Sequence, residues 1–230
     1  MIQHLNAISI AIVCSISACA AQAEIVYSQT STDPSQTDFG WYSSSEPRPT
    51  RNFKHADNFM LGSSAQITAV NWWGTSEGLS HTDLTNFDSF QIEFWSSRTQ
   101  PNGRIKPSEL LSTESFDLSE TNATDTGRLT SRGTIEYMHS AILSNAITLE
   151  ADTMYWISIS ARSIDPTADV WQWQDADNTD QISSSWTYQF GVWQYQFDTD
   201  SAFQLIAVPA SSTFAGLAGS MVLIARRRRA

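Results

Sequence analysis

The residues of this chain with the clearest chemical potential are aromatic, and they alternate with glutamines along two short segments. One segment reads Trp171-Gln172-Trp173-Gln174, and the other places Trp193 and Tyr195 on either side of Gln194. Side chains in a strand alternate between two faces, so each segment would set two rings side by side on one face. Flat rings can stack on the apolar C–H faces of sugars, while amides hydrogen-bond sugar hydroxyls. The pattern predicts a saccharide-binding surface made of Trp171, Gln172, Trp173, Gln174, Trp193 and Tyr195.

Core packing is the competing interpretation of these rings. Tryptophan buries a large apolar area, and all nine tryptophans lie between residues 41 and 193. We expect most individual tryptophans to be core residues and at least one group to remain exposed as a platform. Trp72 and Trp73 are adjacent, so in a regular strand one of the two faces away from the core.

A cluster of acidic residues follows the first aromatic segment. Asp175, Asp177 and Asp180 lie close together with Asn178, and hard oxygen ligands of this kind suit calcium. The order differs from an EF-hand loop, because Thr179 replaces an acidic or amide ligand and Asp180 replaces the glycine. A solvated acidic turn is the alternative, and no cofactor other than calcium is indicated.

Residues that could carry catalysis are few. Glu93 and Glu136 each lie in the middle of a predicted strand, and two carboxylates ~5–10 Å apart can hydrolyse a glycoside. The three histidines outside the N-terminal segment have no metal-binding spacing, and no Gly-x-Ser-x-Gly elbow occurs. The sequence therefore predicts a protein that is not an enzyme, with a polysaccharide hydrolase as a lesser alternative.

The elements that must position these residues are predicted to be strands. Period-two alternation is clear at Phe90, Ile92 and Phe94, whose intervening residues are Gln91 and Glu93. Strands are predicted at 24–28, 56–61, 66–75, 90–96, 112–118, 133–139, 146–149, 154–161, 170–174, 184–197 (with a bulge at Gly191) and 202–207. About ten strands without a long helix indicate an all-β fold, an antiparallel β-sandwich of jelly-roll-like type.

The segments between the predicted strands have turn chemistry. A long polar surface loop is expected from residue 30 to 54, carrying Trp41 and Tyr42, and Pro101-Asn102-Gly103 is the clearest turn. Residues 107–111 (PSELL) are compatible with a single helical turn. A barrel is the lesser architectural choice.

The first 23 residues have the features of a secretory signal helix. Residues 8–16 form a largely apolar core, and Ala21-Gln22-Ala23 provides a small-x-small cleavage site before Glu24. Both cysteines, Cys14 and Cys19, lie in this segment, so a mature domain starting at Glu24 would have no disulfide and would depend on its core. Cys19 also fits a lipobox-like pattern as an alternative.

Residues 208–230 form a distinct C-terminal segment. A break at Pro209 is followed by small and apolar residues up to Ala225 and then by four arginines (Arg226, Arg227, Arg228 and Arg229). The apolar run is short for a membrane span, which normally needs about 20 residues. Arginines resist passage through hydrocarbon, so the sequence predicts a short transmembrane helix with its arginines on the cytoplasmic side.

This tripartite layout resembles the PEP-CTERM sorting signal of exported bacterial proteins. Val208, Pro209 and Ala210 occupy the position of the family's Pro-Glu-Pro-like motif, from which the Glu and the second Pro are absent. The resemblance implies an exosortase-type membrane protease as a processing partner, and transient anchoring in the inner membrane before the tail is removed. It also implies a setting of exopolysaccharide production.

Residues 55–207 resemble a family of uncharacterised exported bacterial domains that often precede such tails. The resemblance rests on Ala56-Asp57-Asn58-Phe59, Val70-Asn71-Trp72-Trp73-Gly74, Tyr155-Trp156-Ile157-Ser158-Ile159, Trp171-Gln172-Trp173 and Ser201-Ala202-Phe203-Gln204-Leu205. It implies no particular activity.

Charge restricts the partners of the segment between the two ends. All 24 acidic residues lie in 24–207 with nine of the 13 basic residues, which leaves a net charge near −15 there. Such a charge argues against nucleic acid and anionic membrane surfaces as partners. We expect an exported protein of the cell envelope or extracellular matrix, with 24–207 as one domain that binds polysaccharide or another envelope component. A purely structural surface protein is the main alternative.

Overall fold

The computed structural model describes residues 23–32, 40–45, 52–78, 87–164, 169–176, 185–189, 191–195 and 200–208. Both terminal segments with predicted helices lie outside these ranges, apart from Ala23 and Val208. In the part of the chain that the structure describes, no helix has the length and apolar character needed to cross a bilayer.

Strands account for nearly all of the regular structure. They are β1 (Glu24–Gln29), β2 (Trp41–Tyr42), β3 (Ser44–Ser45), β4 (Asn52–Met60), β5 (Ala65–Gly78), β6 (Phe87–Thr99), β7 (Ile105–Asp117), β8 (Asn122–Leu129), β9 (Ile135–Leu149), β10 (Met154–Ser163), β11 (Asp169–Trp173), β12 (Asp175–Ala176), β13 (Ser185–Gln189), β14 (Val192–Tyr195), β15 (Asp200–Ser201) and β16 (Phe203–Val208). A 3-10 turn, Leu118–Glu120, connects β7 to β8. The prediction of an all-β, largely antiparallel fold is confirmed.

The first sheet is organised around the long strand β5. Strands β9 and then β8 lie on one side of it, while β16 and then β1 lie on the other. Beyond the end of β16, β11 pairs with the last residues of β5, and β2 pairs with β11. One strand therefore positions residues from both halves of the chain.

The second sheet has the order β14-β13-β4-β10-β6-β7, with β3 inserted beside the ends of β4 and β10. The ring centroids of Trp95 on β6 and Trp193 on β14 are 5.4 Å apart, although four strand spacings separate their strands. In a flat sheet these strands would lie about 19 Å apart. The second sheet is therefore strongly curled, with its outer face on the concave side.

The core lies between the two sheets. Phe59 and Phe90 of the second sheet contact Phe203 and Trp72 of the first, with ring centroids 5.8 and 5.2 Å apart. The alternation predicted for β6 is confirmed, since Phe90, Ile92 and Phe94 are all buried on this inner face. Each sheet thus has one inner face in the core and one outer face.

A small third layer covers part of the outer face of the first sheet. The short strands β12 and β15 pair with each other, and Ala176 and Ala202 pack on Trp73. Trp73 therefore points away from its neighbour Trp72, as expected, but the added layer covers it.

Several sequence predictions differ from the structure. Trp41 and Tyr42 lie in a strand paired with β11, although a loop was expected from 30 to 54. Residues 107–111 belong to β7 and form no helical turn. Proline has no backbone N–H to donate to a neighbouring strand. Pro107 is tolerated because β7 is an edge strand.

The predicted strands 133–139 and 146–149 are one strand, β9. The pairing of β9 with β5 jumps from Ile142 to Ile147, so the turn-forming residues between them form a bulge. The carboxylate of Glu114 accepts hydrogen bonds from the backbone N–H groups of Ser144 and Asn145 there. The strand β8 was not predicted, because its polar residues have no apolar alternation.

Gly191 was expected at a bulge and instead lies in a tight hairpin turn. Gln189 pairs directly with Val192, and Gly191 has a φ of +84°. Glycine tolerates this left-handed conformation, which allows β13 to reverse into β14. The turn at Pro101-Asn102-Gly103 is confirmed, with Gly103 at a φ of +83°.

Candidate functional site

The predicted saccharide-binding strand, β11, lies in the interior. Trp171 and Trp173 are 1% and 0% exposed and belong to the main core. The indole N–H of Trp173 donates to the carbonyl of Ala202, 2.9 Å away. Their ring faces are covered by other core side chains, so the prediction of a sugar platform at these two tryptophans is wrong.

The glutamines of this strand are also buried. Gln172 and Gln174 lie on the opposite face from the tryptophans, where the third layer adds cover. The backbone of Gln174 bridges Trp73 and Ala202, which ties β11 to the neighbouring strands. Sequence alternation placed the rings on one face correctly, but that face is the inner one.

The second predicted pair, Trp193 and Tyr195, lies on the concave outer face of the second sheet. Both rings are half-buried, and Gln194 between them is exposed. Their strand β14 pairs with β13, so that Trp193 is opposite Tyr188 and Tyr195 is opposite Trp186. We call the rings of this surface the aromatic face: Trp95, Trp156, Trp186, Tyr188, Trp193 and Tyr195.

The aromatic face is held together by edge-to-face contacts. The ring of Trp193 lies 5.4 Å from that of Trp95 and 5.2 Å from that of Tyr188, both in T-shaped arrangements. Trp186 and Tyr195 meet in the same way at 5.7 Å. The deep part of the face is closed, since Trp156 and Trp186 are buried, while Trp95, Tyr188, Trp193 and Tyr195 form a partly open rim.

Charged groups lie beside these rings. The ammonium of Lys54 is 2.5 Å from the carboxylate of Glu93, which is almost entirely buried. The guanidinium of Arg104 lies 4.1 Å from the centre of the Tyr195 ring, a cation–π contact at the exposed end. The pair of Lys54 and Glu93 carries no net charge, so the interior of the face is electrically neutral.

Five of the buried polar atoms that lack a hydrogen-bond partner among the described residues lie beside these rings, and others lie in the core and near the third layer. The indole N–H groups of Trp95, Trp186 and Trp193, Oε2 of Glu93 and the hydroxyl of Ser158 have no hydrogen-bond partner among the described residues. Ser158 is directly opposite Glu93 in the pairing of β10 with β6. Each of these atoms is shielded from solvent in this structure, so the surface offered to a ligand is made by the rim rings and the exposed Gln194.

The two candidate catalytic carboxylates do not come together. Glu93 lies on the outer face of the second sheet, whereas Glu136 lies on the outer face of the first, with the core between them. Glu136 is buried and accepts hydrogen bonds from Ser31, Thr126 and Arg128. These bonds join β9 to β8 and to the segment after β1, so the glycosidase pair is wrong for these two residues.

The predicted calcium loop is only partly described. Asp175 lies in β12, while Asp177 and Asp180 are outside the described residues. In the described ranges, no three His, Cys, Asp or Glu side chains are grouped so that they could hold a metal ion. Burial raises the pKa of Asp175 to about 7; Asp200 adds to the increase and a hydrogen bond from Trp41 opposes it.

Only two rings of the aromatic face, Trp193 and Tyr195, were predicted as site residues. The prediction did not include Trp95, Trp156, Trp186 and Tyr188, or Lys54 and Ser158 beside them, although Trp95 continues the outward series Gln91 and Glu93. That period-two series was the available signal. The curl of the sheet, which brings β14 over β6, has no comparable signature in the sequence.

The predicted sorting motif is almost entirely outside the described structure. Val208 is the last residue of β16, while Pro209, Ala210 and the four arginines from Arg226 to Arg229 lie beyond the described residues. The tail therefore remains a prediction.

Comparison with known proteins identifies the domain without giving it an activity. A search of curated proteins found no match to this chain. The model of one protein family matches residues 25–208, a range that includes every strand described above except the first residue of β1. The chain therefore belongs to the family described as Domain of unknown function (DUF7901).

Proposed function

We propose that this protein is an exported, non-enzymatic surface or matrix protein whose β-domain binds polysaccharide through the aromatic face. The observation that carries the proposal is the combination, on one concave surface, of four partly open rings with the exposed amide of Gln194. Sugar rings offer both kinds of complement, because they have apolar C–H faces and hydroxyls that donate and accept.

The electrostatics favour a neutral polysaccharide. Lys54 and Glu93 neutralise each other within the aromatic face, and the segment 24–207 has a net charge near −15. An anionic polymer would be repelled by the overall field, while a neutral glycan would not be affected by it.

The cellular setting in this proposal comes from the two ends of the chain. A cleavable signal at 1–23 would export the protein, and a PEP-CTERM-like tail at 208–230 would deliver it to an exosortase-type protease at the inner membrane. We take the domain to be a jelly-roll-like sandwich, which the two facing seven-stranded sheets support. The processed domain would then remain in the envelope or matrix.

A purely structural surface protein is the second candidate. It is favoured by the depth of the aromatic face, where Trp156 and Trp186 are buried and the indole of Trp156 donates to Ser97. On this view the rings stabilise the curled sheet and the polar atoms are satisfied by water. The two functions differ in what the removal of a rim ring does.

The test compares two ring deletions by affinity electrophoresis in gels containing hydroxyethyl cellulose, dextran, soluble xylan or alginate. Trp193→Ala removes a half-buried rim ring, and Tyr42→Ala removes an exposed ring on β2 of the other sheet as a matched control. We expect Trp193→Ala to weaken retention in a neutral gel by about 5- to 30-fold, because one stacked ring contributes about 1–2 kcal/mol. Tyr42→Ala is expected to behave like the unmodified protein.

Three results would contradict the proposal. They are retention that Trp193→Ala leaves unchanged, absence of retention in every gel, and release of soluble sugar during incubation. The first two would favour the structural protein, and the third would indicate an enzyme. Thermal unfolding of each variant checks that the domain is still folded.

A further inference from the structure

The outer face of the first sheet has a second ordered set of side chains, independent of the aromatic face. Ser28, Gln204, Asn71, Ser140 and Asn122 are paired in register across β1, β16, β5, β9 and β8. We call this the amide row. With strands about 4.8 Å apart, it is about 19 Å long and runs perpendicular to the strands.

Part of the amide row is already held in place by hydrogen bonds. The amide of Asn71 donates to Gln204 at 3.1 Å, and the amide of Gln204 donates to the hydroxyl of Ser28 at 3.0 Å. All five side chains are exposed or partly exposed, and none is charged. The row therefore presents fixed, neutral donors and acceptors to solvent.

A second row, made of apolar residues, runs parallel to the first. Its members are paired across the same sheet, two residues from the amide row in β16, β5 and β9 and three in β1, where a bulge intervenes: Ile25, Ile206, Ala69 and Ile142. Ile25 is 56% exposed and Ile142 is 79% exposed, which is unusual for isoleucine. We call this the apolar row.

A cleft of about 390 Å³ lies where the two rows meet the edge of the second sheet. Its floor contains Asn71, Ser140 and Asn122 of the amide row with Ala69, Ile142 and Ile206 of the apolar row. Ser115, Phe116 and Glu120 form the wall, contributed by the end of β7 and the 3-10 turn. The cleft thus combines a polar strip, an apolar strip and a single carboxylate.

We propose that this cleft is a second binding surface for a neutral polysaccharide chain, so that one molecule bridges two chains. The inference rests on the proposed function for its ligand class. Hydroxyl edges would lie on the amide row and C–H faces on the apolar row. The two outer faces lie on opposite sides of the core, with the sheets about 10 Å apart. One straight polysaccharide chain therefore cannot contact both faces.

Other occupants fit this surface less well. An added peptide strand uses the free edge of a sheet, whereas the two rows lie on its face. The core of a stable interface between copies is enriched in large apolar and aromatic residues, whereas here a continuous row of small amides and hydroxyls lies beside three isoleucines and an alanine. A neutral, hydroxyl-rich chain matches both rows.

The test uses variants that affect one outer face at a time, in the full protein. Ile142→Glu places a charge in the cleft at a highly exposed position, and Asn122→Ala shortens the amide row at another exposed position. Leu129→Glu is the matched control, since it makes the same kind of change at an exposed site of β8 outside the cleft. Trp193→Ala reports on the aromatic face.

Two readouts are needed: retention in hydroxyethyl cellulose and dextran gels, and light scattering of mixtures with the same soluble polymers. The unmodified protein and Leu129→Glu are expected to raise the scattering, because bridging links the polymers into larger particles. Three variants are expected to reduce this increase in scattering by at least about 80%: Ile142→Glu, Asn122→Ala and Trp193→Ala. Each single-face variant should keep measurable retention through the other face, weakened by about 5- to 30-fold.

The outcomes separate the two proposals. If Trp193→Ala abolishes retention while the cleft variants retain full affinity, the bridging inference is wrong and the proposed function stands. If the cleft variants abolish retention and Trp193→Ala has no effect, the aromatic face is not the binding site. Both the proposed function at that face and the bridging inference are then wrong. If light scattering of the protein alone shows that the unmodified protein is a dimer and Ile142→Glu a monomer, while retention is unchanged, the cleft is a self-association surface and the inference is wrong.

Discussion

Two histidines are buried among aromatic rings at the centre of the domain. His139 stacks on Trp72 with ring centroids 5.4 Å apart, and His55 stacks on Trp41 at 5.3 Å. No ring nitrogen of either has a hydrogen-bond partner among the described residues. Burial lowers the pKa of each imidazole to about 3, so both are neutral aromatic core residues at neutral pH.

These histidines should destabilise the domain in acid. Each pKa is lower in the folded protein than the unfolded value of 6.5, so the stability that the neutral ring contributes is present above pH 6.5 and is lost as pH falls towards 3. His139→Phe removes one such site and keeps an aromatic ring. We expect it to reduce the loss of unfolding free energy between pH 7 and 4 by about 2–3 kcal/mol, measured by urea denaturation.

The comparison at pH 7 is the internal control for this prediction. There His139 is already neutral, and the ring replacement should change stability by less than about 1.5 kcal/mol. Asp175 acts in the opposite direction, since its pKa of about 7 means that its contribution to stability is lost as pH rises from 3.8 to 7. Both proteins contain Asp175, so a pH dependence unaltered by His139→Phe would show that His139 titrates normally.

At the scale of elements, the junction of β5 and β11 depends on one glycine. Gly74 is paired with Trp173 on β11 and with Tyr137 on β9, and a Cβ at this position would lie 2.5 Å from the indole of Trp171. The absence of a side chain at Gly74 therefore allows Trp171 to pack into the core. Because Trp171 packs against the backbone at Gly74, its ring is not available to a ligand.

Gly74→Ala is expected to destabilise the domain by about 1–3 kcal/mol, because neither the backbone of β5 nor the buried indole can move freely. The measurement is chemical denaturation, with Gly62→Ala as the matched control. No atom lies within 4 Å of a Cβ at Gly62, so that variant should differ little from the unmodified protein. Equal stability of the two variants would mean that the β5–β11 contact is looser than described.

The β13–β14 hairpin is the element that creates the aromatic face. It extends the second sheet beyond β4 and curls so that Trp193 reaches Trp95 of β6. Its rings pack against Ala56, Trp156 and Trp95, so the hairpin covers part of the outer face of the second sheet. The turn at Gly191, with its φ of +84°, permits the reversal.

For the whole molecule, the two proposed binding surfaces contain few of the charged groups, namely the paired Lys54 and Glu93, Arg104 at the edge of the aromatic face and Glu120 in the wall of the cleft. The segment 24–207 has a net charge near −15, yet the aromatic face has a neutralised ion pair at its centre and the amide row has no charge. Binding by stacking and neutral hydrogen bonds should therefore depend little on salt. Binding through charged groups would instead weaken steeply as salt is added. Raising the ionic strength shortens the screening length from about 10 Å at 0.1 M to about 3 Å at 1 M.

We expect retention in hydroxyethyl cellulose or dextran gels to change less than about twofold between 50 and 500 mM NaCl. Alginate, an anionic polymer, should not retain the protein at 50 mM NaCl, because repulsion by the overall charge is strongest at low salt. Retention by alginate, or a steep loss of retention in neutral gels with salt, would contradict a neutral ligand.

Part of this architecture could be predicted because strand alternation is a local property. The series Phe90, Ile92 and Phe94 determines which side of β6 is apolar, whatever the rest of the chain does. Irregularities could not be read in the same way. The bulge in β9 looked like a break between strands, and the polar strand β8 has no periodic signal.

The all-β class, the pairing of rings on common faces and the acidic charge that disfavours anionic partners all follow from residue types and their spacing. Which of those faces are open follows from how the two sheets pack and curl. Trp171 and Trp173 share a face as alternation requires, but that face meets the opposite sheet, while Trp193 and Tyr195 face outward on a curled edge. Exposure depends on what packs against a strand from distant parts of the chain, and neighbouring residues in the sequence do not encode it.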